Sequence, residues 1–510
     1  MSALNNRPQG SSLRHALIAL SLSNLCFFRL WAELFTVSGP GAYFLNVAAL
    51  DFVAVCICVA LLAAALFGAQ WVTIRIAGDR GRRVVRGAFL GALVLLTTQI
   101  GHPSPRGAEK ILELAIPLAL LGVVSWRPRQ AITLAVQGLL MLAPVAGVNA
   151  ARAGWCVLQG DPSARLAARV PGIGSPLPQT TGPRVVVMVF DSLDRRIGFD
   201  DGRVAIPSFE RFRAESIDAT NVTRVADRTL KAIPSLLTGE LVQRAVTAGP
   251  TELSLELGPA PTRTAQLSEI PTLFQEAKAA GGMSVAVGWY HPYCRLFEEL
   301  DACSWHATTR YGGSHGQTGS FAHMIADQLA TLHPSSARIQ RGRELHLRLV
   351  ADASIAVRSG DAGLLWLHLD VPHAPWIWNR AKSRFRSTRL ASNAEGYLDN
   401  LVLADRVFAQ LRSEMEAAGK WDGTSVLVTA DHGNRNNALG VPDTRVPFLL
   451  KLPGQSAGTT IDAPLSALVT HDLVVELLGD RIKTPAEAEA WLLARTSSET
   501  PTVTDEPDPS

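Results

Sequence analysis

Apolar positions are spread unevenly along this chain. They run almost unbroken through five stretches of its first third, roughly residues 13–35, 44–67, 84–100, 111–125 and 131–148. A helix needs about 20 apolar residues to cross a bilayer core, with about 17 as the lower limit. The first two runs exceed that length and the third just meets it. The last two are shorter and carry Pro117 and Pro144, which a spanning helix tolerates where its neighbours satisfy the freed carbonyls. The pattern predicts five spans and a membrane domain over about residues 1–150. Further along, short β-branched runs alternate with longer helical patterns. Residues 184–190, 283–288, 363–369 and 424–429 read as buried strands, and 207–216, 230–237, 272–280, 393–418 and 465–478 as helices. That alternation predicts an α/β domain with a mostly parallel central sheet covered on both faces.

The segments between and after these units read differently. Residues 155–170 are mildly amphipathic, suited to a membrane surface or to a plain linker helix. Residues 171–183 are rich in Pro, Gly and Thr and read as an extended linker. The divisions expected are therefore a membrane domain to residue 150, an interfacial segment and linker over 151–183, a catalytic domain over 184–495, and a disordered tail over 496–510 with nothing to bury.

Composition sharpens this picture in two respects. The formal net charge is only +3, which removes any case for nucleic-acid binding. The arginines alternate between connections: Arg7 and Arg14, then Arg75 to Arg86, then Arg127 and Arg129, while residues 36–43 carry no charge. Basic connections stay in the cytoplasm, so five spans would place everything after residue 150 outside, with the protein in a cell's cytoplasmic (inner) membrane and its catalytic domain on the periplasmic side. Disulfides persist there. Cys294 and Cys303 flank a turn and are expected to pair, leaving Cys156 over.

Ligands of parallel sheets bind beyond the carboxyl ends of the strands. Each predicted strand runs into a polar cluster at that end: Asp191; Trp289-Tyr290-His291; His368 to His373; and Asp431-His432. An adjacent Asp and His can turn toward one cation if the backbone bends, and Gly433 permits the bend. Carboxylate plus imidazole suits Zn or Mn better than Ca, with Mg also feasible. Thr229 opens a short helix, where its hydroxyl meets an electropositive helix end. It could act as a nucleophile or merely cap the helix. His291 could touch a phosphate or a second metal, or serve structure alone; His368 could equally be a satisfied core histidine. His315, His323, His333 and His346 have no partner spacing and read as surface or core residues, and the helix carrying Tyr397, Asp399 and Asp405 reads as scaffold.

The ordered set of motifs resembles the alkaline phosphatase/sulfatase superfamily over about 290 residues. Val187 to Asp191 is similar to the opening strand with its metal-binding acid, Thr229 to Gly239 to the nucleophile helix ending in Leu-Leu-Thr-Gly, His368 to Trp376 to the substrate-binding histidine motif, and Val428 to Gly433 to the second metal motif. The resemblance implies that Asp191, Thr229, Asp431 and His432 hold one divalent metal, with a second left open. It implies that His368 and His373 bind phosphoryl oxygens or protonate a leaving group. Threonine cannot become formylglycine, so the formylglycine sulfatase mechanism is excluded. With membrane spans and a threonine nucleophile, the chain looks most like the phosphoethanolamine transferases and lipoteichoic acid synthases. Their first acid is typically Glu, where this chain has the shorter Asp191. The expected function is transfer of a phospholipid head group to a glycan or lipid acceptor through phospho-threonine. The alternatives are a hydrolase with the same nucleophile and a non-catalytic membrane sensor. Nothing in the sequence sets an oligomeric state.

Overall fold

The protein is represented by a computed structural model that describes residues 9–36, 40–100, 128–160, 170–177, 180–259, 261–307, 320–332, 334–360, 363–387, 391–435 and 437–496. The chain divides into two compact units. The first holds residues 1–37, 46–165 and 311–334; the second holds 38–45, 166–310 and 335–510.

In the first unit, α1 (Gln9–Cys26), α2 (Phe28–Leu34), α3 (Ala49–Ile100) and α4 (Pro128–Leu158) pack together. Small polar side chains join them: Ser21 Oγ donates to Leu139 O at 2.6 Å, and Ser23 Oγ to Val59 O at 2.7 Å. Such bonds suit helices in lipid, where water offers no alternative partner. Among the described residues, two helices are long and apolar enough to cross a membrane, Ala49–Gly78 and Thr133–Leu158. A third would be the pair Ser12–Cys26 and Phe28–Leu34, bent by 58°. The second connection takes a form other than the expected loop. The arginine-rich stretch after residue 74 continues as helix, because Arg and Ala favour helix, and it breaks only at Gly78 with φ 49°. The expected fourth span, the tail beyond residue 496, His315 and His333 lie outside the described residues.

The second unit is built on an eight-stranded sheet of β1 (Arg184–Phe190), β2 (Ile217–Ala219), β3 (Met283–Trp289), β4 (Ala302–His306), β5 (Gly363–Leu369), β6 (Thr424–Thr429), β7 (Leu449–Lys451) and β8 (Thr459–Ile461). Their order across the sheet is β8-β2-β7-β6-β1-β5-β3-β4, and only β7 runs against the rest. Every residue of β1, β3, β5 and β6 is buried. Successive strand side chains point to opposite faces, so both faces are covered, as the continuous apolar runs predict. The observed bounds match the expected strands within one residue.

Three features escaped sequence reasoning. One is the antiparallel sheet of Val242–Gly249, Glu252–Leu257 and Arg263–Gln266. Another is the edge strand β4. The third is the 25-residue helix Pro334–Arg358, whose arginine-rich sequence gives a weak apolar signal. The expected pairing of Cys294 with Cys303 is present, with Cα atoms 5.5 Å apart. It ties β4 to the chain leaving β3. Closing a loop of about ten residues contributes roughly 2–3 kcal/mol through the unfolded state. A Cys294→Ser/Cys303→Ser double variant should therefore melt several degrees lower than the wild type. Its melting point should not respond to dithiothreitol, whereas that of the wild type should fall.

Candidate active site

β6, β1, β5 and β3 are consecutive neighbours, and their four carboxyl ends bring the four polar clusters to one edge of the sheet. Neighbouring strands lie about 4.8 Å apart, so the row spans roughly 15 Å. Asp191 follows β1, Asp431 and His432 follow β6, His368 ends β5, and His291 follows β3. Thr229 is the first residue of the helix α5 (Thr229–Thr238). The preceding Arg228 occupies the cap position in an extended conformation, without a side-chain cap bond. Thr229 therefore does not cap this helix. Its hydroxyl turns to the strand ends, where it donates to Asp431 Oδ2 at 2.6 Å and lies 3.3 Å from Asp191 Oδ2 and 3.4 Å from His432 Nε2.

The ligand atoms of Asp191, Asp431 and His432 all lie within 4.8 Å of one another, and all three residues are fully buried. Asp431 Oδ1 accepts the backbone N–H of Ser192 at 3.0 Å and of His432 at 2.8 Å. Burial opposes ionisation of Asp191, yet the surrounding His373, His368 and His432 hold its carboxyl below the usual range. Two carboxylates in so small a buried volume need a compensating positive charge. Among the described residues the rings of His368 and His432 lie within 4 Å of them, and neither ring brings a fixed positive charge. The donor set fits a divalent metal.

Hydrogen bonding assigns the proton on each ring. His432 Nδ1 lies 2.8 Å from Gly433 O, which can only accept, so Nδ1 carries the hydrogen and Nε2 presents a lone pair to the cluster. That is the tautomer a metal ligand requires. For His368 the logic is reversed. Trp366 Nε1, a donor only, bonds Tyr293 Oη at 3.3 Å, and Tyr293 Oη in turn lies 3.0 Å from His368 Nδ1. Tyr293 therefore donates, and the His368 hydrogen sits on Nε2. That atom is buried, 3.6 Å from Asp191 Oδ2, without a hydrogen-bond partner. It is a donor awaiting an anionic oxygen, so the reading of His368 as a fully satisfied core histidine does not hold. His373 spends Nδ1–H on Ala374 O at 2.6 Å and stays half-buried, beside Trp289 with ring centroids 5.2 Å apart.

His291 is placed differently. Its Nε2 donates to Thr229 O at 3.0 Å and its Nδ1 meets Tyr43 Oη at 2.6 Å. Both nitrogens are engaged, so the ring braces the backbone of Thr229 and has no atom left for a phosphate or a second metal. Burial pushes its pKa down to about 3, against the opposing bond to Thr229 O. The unfolded chain takes up this proton near pH 6.5 and the folded one only near 3. The fold therefore loses stability as pH drops through that window, by ~1.4 kcal/mol per pH unit at most. A His291→Gln variant should show a shallower fall in melting temperature between pH 6.5 and 4.5 than the wild type. Parallel curves would contradict the assignment.

Two supporting residues have left-handed backbones, Ser192 at φ 68° and Tyr290 at φ 65°. Non-glycine residues pay about 1–3 kcal/mol for such a conformation, and these strained positions cluster at functional sites. Ser192 thereby aims its N–H at Asp431 and its hydroxyl at Asp191 Oδ1, at 2.9 Å. Tyr290 sits inside an i→i+2 turn closed by His291 N to Trp289 O at 2.8 Å, which directs the ring of His291 back toward α5. Tyr397 Oη donates to Ser192 O at 2.9 Å and accepts from Asp194 N at 3.1 Å. Asp194, raised to about 6 by burial, accepts the N–H groups of Ile197 and Asn434 and pins the loop after His432. The helix Asn393–Ala417 is thus scaffold that reaches the site through Tyr397. His346, read as unpartnered, is buried and bonds Asp370 Oδ1 at 2.8 Å.

Comparison with known proteins gives the family. The sulfatase family model matches residues 183–479, more than half of the chain. An ulvan-active sulfatase of Formosa agariphila is 32% identical over 110 residues, 19% of this chain and 21% of that protein. The matched segment thus spans about a fifth of that relative's length. Among solved structures, a phosphonate monoester hydrolase of Agrobacterium radiobacter superposes with a TM-score of 0.40 and 14% identity, over 58% of this chain and 74% of that one. A Vibrio parahaemolyticus protein of the alkaline phosphatase superfamily gives 0.37 and 15%, over 64% and 75%. Likenesses this distant carry no argument about chemistry. The family match does carry one: the chain belongs to the sulfatase family, within the alkaline phosphatase/sulfatase superfamily.

Proposed function

We propose that this protein is a membrane-anchored phosphotransferase that moves a phospholipid-derived head group, of phosphoethanolamine or phosphoglycerol type, to a glycan or lipid acceptor. The observation that carries the reading is the placement of the Thr229 hydroxyl. It stands at the start of a helix, 2.6 Å from a buried carboxylate and beside an unpaired imidazole N–H. A sulfatase of the formylglycine type needs Cys or Ser there, and this chain has neither. The apolar helices supply the second support, because a donor lipid and an anchored enzyme share one surface.

Asp191, Asp431 and His432 would hold the divalent metal, Zn or Mn, which supplies Lewis-acid stabilisation of the Thr229 alkoxide and the phosphoryl oxygens. The chain's own groups account for the rest. Thr229 Oγ1 passes its proton toward Asp431 Oδ2 and forms a bond to phosphorus. The bond from phosphorus to the diacylglycerol oxygen breaks. His368 Nε2–H donates a hydrogen bond to a non-bridging oxygen, stabilising the charge that develops there. A neutral imidazole is a poor proton source, so the leaving oxygen takes its proton from His373, which is half-buried and can carry one on Nε2. The acceptor hydroxyl then gives its proton to His373 Nε2 and attacks phosphorus, the bond from phosphorus to Thr229 Oγ1 breaks, and Thr229 takes its proton back from Asp431.

Purified protein in detergent should release diacylglycerol from a labelled phospholipid, with the label passing to an acceptor. Release of phosphorylated head group to water at the same rate, with or without acceptors, would favour the hydrolase reading. No turnover of any common phospholipid would sink the transferase reading.

A further inference from the structure

Residues 38–45 lie between α2 and α3 in the chain, yet they belong to the second, catalytic unit. Tyr43 is completely buried there. Its hydroxyl lies 2.6 Å from His291 Nδ1, and His291 Nε2 lies 3.0 Å from the Thr229 carbonyl. A carbonyl only accepts, so Nε2 carries the ring hydrogen, Nδ1 presents the lone pair, and Tyr43 donates. The chain of donors runs in one direction, Tyr43 to His291 to Thr229. Neighbouring contacts hold this segment in place. Phe44 packs on Tyr290, with ring centroids 5.1 Å apart. Arg295 Nη1 donates to Leu45 O at 2.9 Å, and Arg295 itself lies over the Trp305 ring beside the Cys294–Cys303 bridge.

The first turn of α5 gains an anchor from outside the helix in this way. Its cap residue, Arg228, makes no side-chain cap bond, and Pro234 inside the helix has no N–H for the carbonyl of Leu230. The bond from His291 to the Thr229 carbonyl adds a fixed point at the residue whose hydroxyl faces the carboxylates.

We infer that Tyr43 is a positioning residue of the active site: through His291 it fixes the backbone of Thr229, so the catalytic geometry depends on the segment joining α2 to α3. A catalytic domain begun after residue 45 would lack that hydroxyl.

Full-length protein in detergent micelles tests this with Tyr43→Phe, His291→Gln and the double variant, using bis(p-nitrophenyl) phosphate as substrate. Tyr43→Phe should lower kcat about tenfold and leave KM and metal content unchanged, since a misplaced nucleophile loses rate rather than binding. The double variant should be no worse than the poorer single variant by more than about twofold, because both act through one link. Multiplying losses, or a Tyr43→Phe kcat equal to that of the wild type with only a lower melting point, would overturn the inference. The kinetic arm rests on the phosphoryl-transfer reading; a wild type that does not cleave the diester would count against that reading alone. Hydrogen exchange tests the positioning role without turnover. Amides in the peptide covering residues 229–239 should exchange faster in Tyr43→Phe, or in His291→Gln if the first variant does not fold. Unchanged exchange there would overturn the inference by itself.

Discussion

Replacing Thr229 with alanine should abolish turnover, lowering kcat by about 10³-fold or more, while the protein still folds and still holds its metal. In the proposed mechanism this hydroxyl forms the bond to phosphorus, and among the described residues no other hydroxyl is placed against both Asp431 and Asp191. The fold should hardly notice the change. Thr229 is not the cap of α5, so loss of its side chain forfeits less than the ~1 kcal/mol that a true capping threonine contributes. Most of the metal content should be kept because three of the four expected ligands, Asp191, Asp431 and His432, remain. Thr229→Ser keeps a hydroxyl and should keep turnover within about tenfold of the wild type. Kinetics, metal analysis and a melting curve on the same preparation separate these outcomes. Full turnover in Thr229→Ala would remove the nucleophile assignment.

Asp431→Asn should be the second large effect, and it carries a change of sign. One carboxylate of the pair becomes neutral, so metal affinity and turnover should both fall, turnover by about 10²-fold or more. Stability should respond in the opposite direction once metal is removed. In wild-type protein stripped by a chelator, two buried carboxylates lie close together beside the rings of His368 and His432, an arrangement burial penalises strongly. The stripped wild type should melt well below its metal-loaded form, by the linkage of binding to folding. Asp431→Asn should melt at nearly the same temperature with and without chelator, and above the stripped wild type. A wild type indifferent to chelation would mean that the cluster holds no metal.

The four strands of the site were legible because a strand buried on both faces must be apolar throughout, and a polar residue that ends such a run stands out. Asp191, His368 and Asp431-His432 were found in this way, and their order carried the family resemblance. Thr229 was visible as a helix start, but setting aside the capping role needed the direction of its hydroxyl and the position of Arg228. His291 shows the limit of the method. Its position at a strand end marked it as functional, while its two bonds, one to a backbone carbonyl and one to Tyr43 some 250 residues away (|i−j| = 248), leave no residue pattern to read. Tyr43 itself lies in an uncharged connection that drew attention only for its lack of arginine. The second connection was harder to read for a related reason: arginine marks the side of a membrane but does not break a helix, so the chain past residue 74 is helical where a loop was expected, apart from the break at Gly78.

The central claim is that Thr229 becomes covalently phosphorylated by a lipid donor. Its most direct measurement is mass spectrometry of the peptide bearing Thr229 after acid quenching of the full-length protein mixed with phospholipid vesicles. The account predicts a mass increase equal to a phosphorylated head group, on Thr229 and absent from Thr229→Ala, whose size names the donor. A wild type that turns over phospholipid at full rate, yet never carries an adduct on Thr229 under any quench, would contradict it.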